Sequence, residues 1–295
     1  MQTNKLYQVV LHIIMTVFTL FCILPFWLLV SASLTDNDTI LRDGYAFIPK
    51  QFDLSAYTYL LDNAANIVRA YGITIFITIM GTVVGLAFTA LIAYPLSRRD
   101  MPFRNTIAFF VFFTMLFNGG LVPTYLLYTD FFELKNTLWA LIIPNLLVNG
   151  FYIIMMRTFF ATTIPVALIE SAYMDGAKEG TIFARIVLPL SLPVLATVGL
   201  FYTINYWNDW FNGLIFVSNS KLYSLQNLLN RILLDVQFLQ SSSQLSGQMS
   251  DATSRIPLES MRMAMAVIGI VPLILLYPFF QKFFVKGLTI GAVKG

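Results

Sequence analysis

Six stretches of this chain are long and apolar enough to cross the roughly 30 Å hydrocarbon core of a bilayer, which limits the fold more than any motif does. They fall at about 8–33, 67–96, 104–128, 137–160, 190–217 and 261–284. Hydrophobic residues make up 58% of the chain and charged residues 11%, with a mean hydropathy of +0.75. That balance lies outside the range of soluble domains. The reading is an all-α, polytopic membrane protein with six transmembrane helices in a single transmembrane domain, 1–295.

The first stretch has features of a signal peptide, with Lys5 ahead of it and Val30-Ser31-Ala32 resembling a cleavage site. Its apolar run is too long for a signal core and contains Pro25, so it is expected to remain as an uncleaved helix. Six spans put both termini on one side. Arg98, Arg99 and Arg104 flank the short loop between spans two and three, whereas Asp36, Asp38, Asp43, Asp53 and Asp62 fall in the first long loop. The positive-inside tendency then favours cytoplasmic termini. Two loops on the other side are substantial, at about 34–66 and 218–260. The second carries an amphipathic run from Leu225 to Leu239 and then the Ser/Gln-rich QSSSQLSGQMSDATS, which reads either as a surface for an extracytoplasmic protein or as a solvated loop.

Much chemistry is excluded. The one cysteine (Cys22) and one histidine (His12) lie in the first span, which allows neither an intrachain disulfide nor a Cys/His metal cluster. No Gly-rich loop ends in Gly-Lys-Ser/Thr; GAKEGT and VKGLT have the wrong spacing. No hydrolytic triad can be assembled around a single membrane-buried histidine. The chain is not expected to be an enzyme, to hold a metal or cofactor, or to bind nucleic acid. Active transport would draw its energy from a partner or an ion gradient.

Between spans four and five lies ESAYMDGAKEGTIFARIVLPLSLP, Glu170 to Pro193. Thr163 is a candidate cap, Pro165 suits a first helical turn, and a helix-forming run continues to Met174. Asp175-Gly176 predicts a turn, and a second short helical pattern is expected to stop at Pro189. Glu170, Tyr173, Met174 and Ala177 would share one face of the first helix, acidic and apolar together. Such a helix–turn–helix on a membrane surface must meet water or another protein, and reads as a docking element.

Span five carries a polar stripe. Tyr202, Asn205, Asp209 and Asn212 follow helical spacings, with Trp207, Asn208 and Trp210 beside them. One reading is a pathway for a sugar-sized polar solute, with aromatics to stack on sugar rings; the plainer one is interhelical hydrogen bonding and an interfacial aromatic belt. In span two, Thr74, Thr78, Gly81, Thr82, Gly85 and Thr89 form a small-residue face suited to close helix packing. In span three, FNGGLVPTY (Phe117 to Tyr125) interrupts the helix, either as a break facing a cavity or as a simple kink.

The Glu170 segment resembles the cytoplasmic loop of permease subunits in ATP-binding-cassette (ABC) importers. The family pattern E-A-A-x-x-D-G-A, a spacer, then I-x-L-P is matched by Glu170-Ser171-Ala172, Asp175-Gly176-Ala177 and Ile186-Val187-Leu188-Pro189, with Ser171 in place of the first alanine. ILPFWLLVSAS, AYPLSRRDMPFRN, WNDW, IPLESMRMA and YPFFQKFFVKGLTIGAVKG extend the similarity over nearly the whole chain. They resemble the carbohydrate branch, and within it the LplC-like permeases related to the smaller membrane subunit of the maltose importer.

The resemblance implies a type I importer permease fold. Glu170, Ser171, Ala172, Tyr173, Met174, Asp175, Gly176 and Ala177 would form the coupling helix that sits in a cleft of a cytoplasmic ATPase. The tail from Lys286 to Gly295, with Lys286, Gly287 and Lys294, would reach into the ATPase dimer interface. Implied partners are a second homologous permease completing a heterodimeric pathway, two copies of an ABC ATPase holding the ATP and Mg, a lipid-anchored extracytoplasmic solute-binding protein, an oligosaccharide and membrane lipid. The competing reading, an ion-coupled secondary transporter or channel subunit, calls for internal repeats and ionisable residues near the midplane.

Overall fold

A computed structural model describes residues 5–62, 64–246 and 257–292, with side chains except at 5–6, 236, 239–246 and 282–292. The described residues form helices and no strand beyond one isolated antiparallel bridge, Thr35–Phe52. The all-α expectation holds. Three helices are long and apolar enough to cross a membrane: Tyr7–Ser33, Ala64–Ser97 and Leu258–Gln281. Three bent pairs, Arg104–Leu116 with Leu121–Phe131, Gly150–Thr163 with Val166–Met174 and Glu179–Leu190 with Leu192–Asn208, pass the same test of length and composition, which gives up to six if each pair is one span. The chain divides into two compact units, Met1–Ile67 with Leu229–Pro272, and Val68–Leu228 with Leu273–Gly295.

In the first unit, α1 (Lys5–Ser33) exposes its apolar surface, and Pro25 is accommodated inside it. The loop after α1 is folded. α2 (Asn37–Asp43) is capped by Asp36, whose carboxylate accepts from the Thr39 N–H at 3.0 Å. Asp53 likewise accepts from the Ser55 N–H at 3.1 Å as α3 (Ser55–Asp62) begins. Asp43 pairs with Lys50 at 2.9 Å, and the hydrogen bond from that lysine holds its carboxyl below the usual carboxylate range. The acids read as a topology signal therefore also cap helices and pair locally. Serine hydroxyls tie the end of α1 to this loop, Ser31 to the Ala46 carbonyl and Ser33 to the Tyr57 hydroxyl. Glu259 accepts from Tyr45 at 3.1 Å, and its N–H donates to Asn37 at 2.9 Å.

The second unit is built on most of α4 (Ala64–Ser97). Phe103, in a left-handed conformation (φ 56°), turns the chain into α5 (Arg104–Leu116). The FNGGLVPTY interruption is far sharper than a kink: α6 (Leu121–Leu126) and the π-turn Leu127–Phe131 leave α5 at 114°. Gly120 supplies a φ of 90°, and the Asn118 side chain accepts its N–H at 2.9 Å.

The stretch 137–160 is not one helix. A single 3₁₀ turn, Leu138–Leu141, is capped by Thr137; Pro144 and left-handed Asn145 break the chain, and α7 (Gly150–Thr163) starts only after Asn149 caps it. The loop expected at about 161–189 begins with the end of α7 and then forms α8 (Val166–Met174), α9 (Glu179–Ile182), a π-turn Phe183–Val187 and α10 (Leu188–Leu190). After a break at Ser191 come α11 (Leu192–Asn208) and α12 (Phe211–Phe216). α13 (Leu225–Ser246) and α14 (Leu258–Ala292) follow; residues 247–256, which include the second half of the Ser/Gln-rich stretch, lie outside the described residues.

The core of this unit forms where α4, α7 and α11 meet, with Ile77, Met156, Tyr202 and Tyr206 at 1% exposure or less. The small-residue face of α4 is what allows it. A Cβ on Gly81 would lie 2.3 Å from Cζ of Tyr206, and one on Gly85 would lie 2.9 Å from Cε1 of Tyr202. Tyr206 donates to the Ile142 carbonyl at 2.9 Å, and the Tyr202 hydroxyl meets Thr89 at 2.8 Å. The glycines thus seat two tyrosine rings whose polar ends are also satisfied, as burial in hydrocarbon demands.

Candidate functional site

The segment read as a docking element packs on the core through a few side chains of α8 and exposes most of that helix. Ile169 is buried, while Val166, Leu168, Glu170, Ser171, Asp175 and Gly176 are exposed and Met174 is 88% exposed. Two details of its start differ from the sequence reading. Thr163 is the last residue of α7 and not a cap, because helical hydrogen bonding continues through it and the extended Ile164 ends the helix. Pro165 takes the cap position itself, fixing the extended entry into α8 with no side-chain hydrogen bond.

The end of α8 is closed by its own turn. Gly176 adopts φ 78°, its N–H donates to the Tyr173 carbonyl at 2.9 Å, and the Ala177 N–H donates to Ala172 at 2.9 Å. These two bonds form a Schellman motif. Ala177 therefore leaves the face shared by Glu170, Tyr173 and Met174, and packs with Ala172 against the core. A Cβ on Gly176 would meet nothing within 4 Å, so Gly176→Ala meets no steric clash and costs only the left-handed backbone, about 1–2 kcal/mol. The expected outcome is a normally folded protein whose α8 exchanges its last amides faster in hydrogen-exchange measurements.

The second helical pattern does not stop at Pro189. The π-turn at Phe183–Val187 shifts the hydrogen-bonding register just ahead of the proline, and helix continues to Leu190. The break comes at Ser191 (φ −101°, ψ 12°), where the axis swings by 80° into α11.

Residues that spacing could not flag tie this segment to the end of α4. Glu179 accepts from the Tyr94 hydroxyl at 2.5 Å through one carboxylate oxygen and from the Tyr173 hydroxyl through the other. Arg98 lies over the Tyr173 ring at 5.5 Å and pairs with Asp100 at 3.2 Å. The hydrogen bond to Glu179 is the main cause raising the Tyr173 phenol above its ordinary value, which keeps it a donor. Tyr94 and Glu179 are 85 positions apart, and no local periodicity links them.

The polar stripe of span five is split by the structure. Tyr202, Trp207 and Asn212 are buried, and Asn212 donates to the Pro144 carbonyl at 2.9 Å. Asn205 and Asn208 are exposed on α11, on one face with Phe201 and Ile204; Asn205 donates to the Tyr152 hydroxyl at 2.7 Å. Asp209 does not continue the helix. It is extended (ψ 104°), half-buried, and one of its oxygens accepts the Asn212 N–H at 3.1 Å as α12 begins. Of the tail residues, Lys286 and Gly287 lie on α14 with side chains outside the described set, and Lys294 lies outside the described residues.

No protein-family model matches the chain. Individual proteins do. The polygalacturonan/rhamnogalacturonan transport system permease protein YtcP of Bacillus subtilis (strain 168) is 37% identical over 294 residues, covering 99% of each chain. Protein LplC of the same organism is 39% identical over 274 residues, 92% of this chain and 90% of that one. Among solved structures, a chain of a bacterial ABC transporter involved in the import of the acidic polysaccharide alginate superposes with a TM-score of 0.76. It is 29% identical and covers 96% of this chain and 98% of its own.

Proposed function

This chain belongs to the permease subunits of bacterial carbohydrate ABC transporters, and from that premise we propose that it forms half of a heterodimeric oligosaccharide pathway driven by an ATPase docked on α8. It is a non-catalytic, multi-pass subunit of the bacterial plasma membrane, and works with a partner permease, an ATPase and a solute-binding protein. The observation that carries the docking assignment is the exposed end of α8, where Met174 projects between Glu170 and Asp175. An apolar tip flanked by carboxylates suits a groove with basic walls.

The remaining parts of the reading rest on the same chemistry. The Arg98 loop lies against α8, which supports a cytoplasmic face for both and cytoplasmic termini. Two ATPase copies would hold ATP and Mg, the C-terminal tail with Lys286, Gly287 and Lys294 would enter their interface, and a lipid-anchored binding protein would dock on the opposite side. ATP closes the ATPase dimer, the docking helices approach one another, and the pathway opens outward; hydrolysis resets it. Each ligand acts through its differential affinity for the two states.

The pathway wall is assigned to the exposed face of α11, with Asn205 and Asn208 offering amides to sugar hydroxyls and Phe201 an aromatic surface. Tyr202, Trp207 and Asn212 support this face from behind, and Asp209 ends it. Two substitutions separate these roles. Asn208→Ala is expected to lower uptake while leaving the thermal midpoint of the purified subunit unchanged. Asn212→Ala is expected to lower that midpoint by exposing the Pro144 carbonyl to an unpaired state, at about 1–3 kcal/mol.

The direct test is gentle-detergent purification of the tagged chain from its native membrane, with mass spectrometry of co-purifying chains and ATP hydrolysis assayed with and without candidate oligosaccharides. Fragments of the polygalacturonan and rhamnogalacturonan type transported by YtcP's system are the first to try. Recovery of a second permease, a cassette ATPase and a binding protein is the expected result. A chain recovered alone and without nucleotide hydrolysis overturns the reading.

A further inference from the structure

Two routes lead from the docking helix to the pathway helix. The covalent one runs from α8 through α9, the π-turn and α10 to α11. It contains two breaks, the Schellman turn at Gly176 and the 80° bend at Ser191, and backbone rotation at either can absorb a displacement. The other route leaves the chain path. Glu179 takes one hydroxyl from Tyr173 on α8 and one from Tyr94 on α4, and Arg98 covers the Tyr173 ring. Tyr94 is held in turn, 8% exposed, with its ring 5.0 Å from that of Phe183. From there α4 is one continuous helix to Gly85 and Gly81, which seat Tyr202 and Tyr206 of α11 without slack.

We infer that Glu179 is a positioning residue that joins α8 to the end of α4, so that a displacement of the docking helix is carried to α11 through the α4–α11 contact. The inference rests on the importer reading above and adds to it a part of the coupling machinery outside the docking helix itself. A carboxylate suits the task because it accepts two hydrogen bonds at once, and charge-assisted bonds of this kind are the stronger ones.

The test uses the complete importer, with partner permease, ATPase and binding protein, reconstituted in lipid nanodiscs. The first readout is the ratio of binding-protein-stimulated to basal ATP hydrolysis per assembled complex. Glu179→Ala is expected to lower it about fivefold or more, the scale of allosteric coupling. Tyr94→Phe and Tyr173→Phe should lower it less, and Glu179→Ala combined with Tyr94→Phe no further than Glu179→Ala alone. Glu179→Gln keeps one acceptor and one donor and should restore most of the ratio. A role confined to stability would reduce the yield of complex and leave the ratio per complex intact.

The second readout is a spin-label distance between Val166→Cys and Arg99→Cys in a Cys22→Ser background. It should hold one narrow value with and without ATP, and become nucleotide-dependent in Glu179→Ala. A wild-type ratio and an unchanged distance in Glu179→Ala overturn the inference; should that variant fail to assemble, the same two results in Tyr94→Phe overturn it. A wild-type complex that hydrolyses no ATP removes the importer reading, and the inference with it.

Discussion

Glu170→Lys is expected to abolish ATP-driven uptake while leaving the permease folded. Glu170 is exposed on α8, makes no contact on which the fold depends, and stands one turn from Met174 at the free end. Against a groove with basic walls, a lysine both removes the attractive pair and adds a repulsive one. Truncating one partner of a buried charge pair at an interface costs about 2–5 kcal/mol, which is roughly 30-fold to several-thousand-fold in affinity. Reversal exceeds truncation, so at ordinary expression levels the ATPase would be missing from the complex. The measurement is paired: solute uptake in cells, and ATPase recovered with the tagged permease. Normal uptake by the lysine variant would remove Glu170 from the docking surface.

The second large effect is steric. Gly81→Leu is expected to leave no folded subunit, and Gly81→Ala to destabilise it severely. The ring of Tyr206 occupies the space a side chain would need, with three of its atoms within 2.6 Å of the new Cβ position. The ring has nowhere to go, because Tyr206 is fully buried and its hydroxyl is bound to Ile142. Overpacking of this kind costs typically about 1–3 kcal/mol for one added methyl and more where nothing can shift. Gly72, on the same helix, meets nothing within 4 Å, so Gly72→Ala is the matched control and should be silent. Thermal midpoints of the three variants in detergent decide the matter. Combining Gly81→Ala with Tyr206→Leu should recover part of the loss, since a smaller side chain clears the clash.

Much of this architecture was legible from residue patterns, and the reasons are physical. Apolar length specifies a crossing because the bilayer imposes it, and the first, second and sixth stretches are long apolar helices, whereas the fourth is broken at Pro144 and Asn145 before α7 begins. The α4 face of Gly81, Gly85 and threonines was readable because small residues at helical spacing have one main use in a membrane. Helix continuity was not. Hydropathy is blind to Asn145 turning left-handed after Pro144, to the ending of α11 at Asp209, and to the π-turn that lets helix run through Pro189. The stripe of span five illustrates the cost. Spacing grouped Tyr202, Asn205, Asp209 and Asn212 on one face, but the break at Asp209 takes α12 out of the helical register of α11, and Asn212 is buried against Pro144. Glu179 carries no sequence signal for a different reason: Tyr94 reaches it through tertiary packing across 85 positions, and Tyr173 only because the turn at Gly176 folds α9 back beside α8.

The closed turn at the end of α8 also has a consequence for the docking proposed there. With the carbonyls of Ala172 and Tyr173 already bonded by the chain's own amides, the helix is finished before any other protein arrives. Ordering a segment on contact would cost about 1–2 kcal/mol of entropy for each residue fixed. A helix that is already formed needs only a few side chains stilled, Met174 and Glu170 foremost, at about 0.5–1.5 kcal/mol each. On the proposed docking at α8 the joint would be a ready-made fitting rather than a disordered strand waiting for a mould, able to come apart and re-form without this half unfolding.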